Sequence, residues 1–116
     1  IVVGYAIARD VDDTLYLQQI DVEPKHGRRG IGSALVKTVC AWAQQQGYCS
    51  VSLSTFRDIP WNAPFYSKLG FRTLDETSLT TGFQQIRIKE LAAGLPISER
   101  VVMYCEFQPP NNCEDL

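Results

Sequence analysis

Residues 26–33 read HGRRGIGS: one histidine, three glycines and two arginines in eight positions. That order of residue types suits the holding of a phosphate. Glycine has no Cβ, so an anion can lie against the bare backbone, and arginine offers a planar fork of donors matched to phosphate oxygens. Two readings compete: a glycine-rich connector whose arginines are merely solvated, or an anion cradle in which Gly27, Gly30 and Gly32 bare the backbone and Arg28 and Arg29 add charge. The strand before the loop, the helix after it and the arginine pair favour the cradle, because a helix start exposes unpaired N–H groups at the positive end of its dipole. The loop is not a P-loop, since no GK[ST] follows, nor a GxGxxG dinucleotide fingerprint, since the glycine spacing is reversed.

The elements that must position this loop are legible from the hydrophobic period. Residues 1–9 read as a strand, Asp10, Asp12 and Asp13 as a polar turn, and residues 14–22 as the second strand of a hairpin with Leu15, Leu17 and Gln19 on one face. Pro24 closes that strand. From Ile31 the period changes: Ile31, Leu35, Val39 and Ala43 recur every fourth residue and Gly47 ends an amphipathic helix of about 15 residues. Residues 50–55 form a third strand with Val51 and Leu53 inward. A short helix follows, with Asn62 as N-cap, Pro64 in its first turn and Gly70 at its end. Residues 71–76 begin another strand, residues 83–93 make a helical or extended crossing, and residues 100–107 are the final strand. The order β-β-α-β-α-β-(α)-β, with strands pairing antiparallel first and then alternating with helices, gives a mixed sheet with helices against it.

Composition narrows the function. The chain has 116 residues, 45% hydrophobic and 21% charged, with net charge −2. This is a globular balance, without the basic excess that nucleic acid or an anionic membrane would attract. No apolar run reaches the length needed to span a bilayer. Of the four cysteines, none forms a CxxC pair and none neighbours the single histidine, His26, so no metal site is expected. Cys40 on a helix and Cys105 in a strand read as small apolar fillers, and the four are expected as reduced thiols in a cytoplasmic protein.

The run VEPKHGRRGIGSALV resembles the pyrophosphate-binding segment of the GNAT superfamily of N-acetyltransferases, whose pattern is [QR]xxGx[GA]. Gly30 and Gly32 match the two small positions, while Gly27 stands where the family has Gln or Arg. The later run NAPFYSKLGF resembles a second family motif, a helix carrying Asn and Tyr and ending in Gly-Phe. The resemblance covers residues 2–107, leaving residues 108–116 as a tail, and implies an α+β fold of three-layer α/β/α type, a GNAT-like mixed, mostly antiparallel sheet with helices on both faces.

The resemblance implies acetyl-CoA as cosubstrate. The backbone of Ile20, Asp21 and Val22 would hold the pantetheine arm, the loop from Gly27 to Ser33 the pyrophosphate, and Asn62, Phe65 and Tyr66 would complete the cofactor-binding set. Tyr66 is the implied catalytic acid, protonating the departing thiolate, since a phenol near pKa 10 is a reasonable donor to a thiolate near 8.5. The competing reading makes Asn62 only a cap and Tyr66 a half-buried aromatic with Phe65 turned into the core. Proton acceptors are Glu23, Asp21 or water held by Gln18 and Gln19; His26 reads as an exposed turn residue, and Trp61 as pocket lining or core. The implied reaction is acetyl transfer to a small-molecule primary amine by direct attack in a ternary complex. The alternatives are a non-catalytic acyl-CoA-binding or interaction module, and a binder of another pyrophosphate nucleotide. The sequence begins at Ile1, already in a strand, after the place of the family's first strand and two helices. If those are absent, one wall of the acceptor site is open or supplied by a second chain, and the bare sheet edge favours a homodimer. Residues 75–94 would form the remaining wall.

Overall fold

A tight turn at Asp12 and Asp13 folds the first two strands, β1 (Gly4–Val11) and β2 (Thr14–Val22), into an antiparallel hairpin. The computed structural model describes residues 4–22 and 30–107. After the hairpin come α1 (Ile31–Gln45), β3 (Ser50–Phe56), α2 (Ala63–Lys68), β4 (Arg72–Thr73), α3 (Thr81–Ala92) and β5 (Arg100–Glu106), with 3-10 turns at Glu76–Ser78 and Ile97–Glu99. The strands form one five-stranded sheet in the order β1-β2-β3-β5-β4, so the expected mixed α+β architecture holds. The described residues cluster into two compact units, one of residues up to Val51 with Glu106 and Phe107, the other Ser52–Cys105.

In the first unit, the hairpin ladder runs Gly4↔Val22 to Ile7↔Gln19, then resumes at Ala8↔Leu17. Gln18 is therefore an extra residue, a β-bulge, and it reverses the inward and outward parity of β2. Leu15 and Leu17 are buried as expected, but Gln19 is exposed and Ile20 takes the inward position beyond the bulge. Asp10 lies in β1, not in the turn. The helix α1 has the expected bounds and buries Val36 and Ala43, while Trp42 is exposed. Its C-terminus closes as a Schellman motif, with the Tyr48 and Gly47 amides donating to the Ala43 and Gln44 carbonyls at 3.0 and 3.2 Å. Thr14 ties β2 to the start of β3: its Oγ1 donates to the Ser50 carbonyl at 3.0 Å and accepts from the Ser50 hydroxyl at 2.8 Å. Cys40 and Cys105 are thiols, but Cys49, in the turn before β3 rather than on an apolar face, is disulfide-bonded; the expectation of four reduced thiols fails there.

In the second unit the expected strand at residues 71–76 shortens to Arg72–Thr73, paired with Tyr104 and Met103. The Asp75 carboxylate explains the stop, because it accepts from the Thr77 amide and hydroxyl at 3.0 Å each and nucleates a 3-10 turn. The segment read as helical or extended is the helix α3, and its inward face is half ionic. Phe83 and Ile86 are buried beside Arg87 and Glu90, while Ile88 and Leu91 face solvent. Arg100 Nε and the Ser54 hydroxyl both donate to Glu90 Oε2, at 2.9 and 2.7 Å. Arg87 donates to Glu76 and to the Ile97 and Arg100 carbonyls. Glu90 Oε1 lies 3.9 Å from Arg87 Nη1, an ion pair without a hydrogen bond, and among the described residues neither it nor the buried Arg87 Nε has a hydrogen-bond partner.

Removing one member of a buried ion network strands the others, which typically costs about 3–5 kcal/mol. Glu90→Ala is therefore expected to lower the urea unfolding midpoint strongly, with a loss of about 3 kcal/mol or more. A loss below about 1 kcal/mol would mean that Arg87 and Arg100 find water instead.

Candidate active site

The residue before α1 has left-handed geometry: Gly30 sits at φ 74°, ψ 14°, a region that side-chain-bearing residues enter only with strain. This turn lets the Gly30 carbonyl accept the first intrahelical bond, from the Ala34 amide at 3.0 Å. The amides of Ile31, Gly32 and Ser33 then have no intrahelical acceptor. Gly30 has no side chain with which to cap them, and no acidic residue stands in the first turn to neutralise the helix dipole. A helix start with glycine at Gly30 and Gly32 and no side-chain cap from Gly30 is a suitable seat for phosphate oxygens. Gly27, Arg28 and Arg29, together with Glu23, Pro24 and His26, lie outside the described residues.

On β2, the ladder pairs Ile20 with Ala6, Asp21 with Tyr5 and Val22 with Gly4. The Asp21 carboxylate accepts from Tyr5 Oη at 2.9 Å and from Gln19 Nε2 at 2.7 Å. These two donors hold its pKa below the usual value, Gln19 contributing first. The same bond raises the Tyr5 phenol. An acid made stronger in this way is a poorer proton acceptor, which weighs against Asp21 as the general base. Gln18 Oε1 accepts from Arg9 Nε at 3.0 Å and Gln19 is committed to Asp21 and Tyr5, so the two glutamines already have protein partners.

The second motif lies on α2. Its side chains turn out opposite to the bland expectation: Tyr66 is 7% exposed, and Phe65 is only half-buried. The Tyr66 ring packs edge-on against Phe65 (centroids 5.2 Å) and Phe71 (5.7 Å). Gly70, at φ 97°, turns the chain so that the Phe71 amide donates to the Tyr66 carbonyl at 3.1 Å. Phe71 thereby lands against Tyr66 as the hydrophobic partner of a Schellman motif. Burial raises the Tyr66 pKa above its ordinary value near 10, so the group is a neutral O–H donor at physiological pH. Among the described residues no group hydrogen-bonds that hydroxyl.

Asn62 precedes α2 as expected, but its side chain makes no capping bond. Its Oδ1 accepts instead from the buried Thr55 hydroxyl at 2.7 Å. Thr55 went unnoticed in the sequence; its only signal there is a hydroxyl at a position expected to be apolar in strand SVSLSTF. Trp61 is 74% exposed, so it is no part of the core. In the first unit, Arg9, Asp10, Leu15, Val39, Trp42 and Tyr48 line a hollow of about 550 Å³ that contains none of the expected site residues.

Residues 1–71 match the family model described as acetyltransferase (GNAT) family, and the chain belongs to that family. It is 37% identical over 84 residues to N-acetyltransferase family 8 member 3 of Mus musculus, a match covering 67% of this chain and 37% of the relative. The match thus spans well under half of that relative's length. The structure is similar to the ribosomal-protein-S18-alanine N-acetyltransferase of Escherichia coli (TM-score 0.67, 20% identity, 98% of this chain and 66% of that one). It is also similar to the PaiA N-acetyltransferase of Thermoplasma acidophilum solved in complex with coenzyme A (TM-score 0.62, 18% identity, 90% of this chain and 54% of that one). At these identities the likeness is one of fold.

The Tyr66 shift has a consequence for stability. The unfolded chain releases this proton near pH 10, whereas the folded protein keeps it, so stability from this group is complete below about pH 10 and falls as pH rises through the higher folded value. The drop in urea midpoint between pH 7 and pH 11 is therefore expected to be smaller in Tyr66→Phe than in the parent protein. Equal drops would mean that Tyr66 ionises as freely folded as unfolded.

Proposed function

We propose that this protein is an acetyl-CoA-dependent N-acetyltransferase that moves an acetyl group to the primary amine of a small molecule, by direct attack in a ternary complex. The observation that carries the reading is the left-handed glycine start of α1 at Gly30, after which three amides have no intrahelical acceptor. Those amides would seat the pyrophosphate, with Arg28 and Arg29 adding charge, while the β2 backbone at Ile20, Asp21 and Val22 runs along the pantetheine. Asn62 and Phe65 would flank the cofactor on the α2 side.

In the reaction the neutral amine attacks the thioester carbonyl, a C–N bond forms and the C–S bond breaks. Tyr66, protonated at physiological pH, supplies a proton to the departing sulfur. The ammonium proton leaves through water, since Asp21 is held as a stable carboxylate.

Calorimetric titration with acetyl-CoA, using ATP and NAD as controls, tests the cradle; selective binding of acetyl-CoA is expected. Arg28→Ala/Arg29→Ala should weaken that binding, more at low salt than at high, as screening of a charge–phosphate contact requires. Unchanged affinity would remove both arginines from the cradle. Tyr66→Phe should lower kcat about 10²-fold in an amine-acceptor assay while leaving acetyl-CoA affinity nearly intact, the scale of a lost general acid. Loss of binding instead would assign Tyr66 to packing, and binding without turnover in the parent protein would favour a non-catalytic acyl-CoA module.

A further inference from the structure

Thr55 is 5% exposed on β3, a strand position whose neighbours Val51 and Leu53 are apolar and buried. Valine would fill the same volume, so the hydroxyl needs a reason. Its partner is Asn62 Oδ1 at 2.7 Å. Asn62 stands where asparagine ordinarily caps a helix by accepting a backbone N–H, yet it makes no such bond. Its backbone, at φ −113° and ψ −115°, lies away from the extended geometry that capping uses.

A carboxamide has one accepting and one donating end. With the Thr55 hydroxyl donating into Oδ1, the Nδ2 donors turn away from β3. Among the described residues nothing accepts from Nδ2, and Asn62 is only half-buried. We infer that Thr55 is a positioning residue: its hydroxyl fixes which end of the Asn62 amide is presented to acetyl-CoA, so that Nδ2 donates to an acceptor on the cofactor. The inference rests on the reading that Asn62 contacts the cofactor, and it adds a residue that sets that contact without touching the ligand. Without the hydroxyl nothing holds Oδ1 against β3, and the amide can turn so that Oδ1, not Nδ2, meets the acceptor oxygen.

The test is acetyl-CoA affinity by calorimetry in the parent protein, Thr55→Val, Thr55→Ser, Asn62→Ala and Thr55→Val/Asn62→Ala, with thermal unfolding of each. Thr55→Val is expected to weaken binding about fivefold, the scale of one misdirected hydrogen bond, with kcat at saturating acetyl-CoA unchanged. Thr55→Ser, which keeps the hydroxyl, is expected to bind within about twofold of the parent, whatever its stability. In the Asn62→Ala background Thr55→Val should add no further loss, because the amide it orients is gone. Parent-like binding by Thr55→Val, or additive losses in the double variant, overturns the positioning role while leaving the cofactor reading in place. Parent-like binding by Asn62→Ala, or no binding by the parent protein, removes the contact on which the role depends and overturns both.

Discussion

A hydroxyl-rich strand buried on both faces is the constraint around which the rest is organised. β3 carries Ser50, Ser52, Ser54 and Thr55 among Val51, Leu53 and Phe56, and Val51, Ser52, Leu53 and Thr55 are buried. Successive side chains point to opposite faces, so Ser50, Ser52 and Ser54 share one face and Thr55 lies on the other, and a hydroxyl shut away from water on either face must find a partner or cost the full desolvation of a buried polar group. Ser50 finds Thr14 on the hairpin, Ser54 finds Glu90 on α3, and Thr55 finds Asn62 ahead of α2. One strand thus dictates which polar group each neighbouring element must offer.

This explains the unusual helix α3. A helix packed on a sheet normally turns an apolar stripe inward, but Ser54 requires an acceptor and Glu90 provides it. A buried carboxylate then requires compensation, which Arg100 supplies at 2.9 Å while stacking its guanidinium 4.7 Å from the Phe56 ring centroid. Arg87 extends the network to backbone carbonyls near the end of the helix. Ile88 and Leu91 are left outside because the inward positions are taken. The same demand on the opposite side of β3 withdraws Asn62 from capping and commits its Oδ1 to Thr55.

Much of the candidate site was legible in local pattern. The glycine turn, the start of α1 and the tyrosine-bearing helix ending at Gly70 follow from dihedral preferences and periodicity, which act within a few residues. What escaped were features set by distant partners. The Gln18 bulge exchanged Gln19 for Ile20 on the inward face, because register depends on the opposite strand and not on β2 alone. Tyr66, and not Phe65, went into the packed layer, because Gly70 swings Phe71 back onto it.

By itself, then, the sequence determined where chain direction and secondary structure change, and which loop can approach an anion, since these depend on glycine, proline and apolar spacing. Only the tertiary structure decided which polar group meets which: Thr55 with Asn62, Ser54 with Glu90, Tyr5 with Asp21. Hydrogen bonds between residues up to 36 positions apart have no local signature in the chain. They are selected by the desolvation cost of leaving a buried donor or acceptor alone, and that cost exists only once the layers have closed around it.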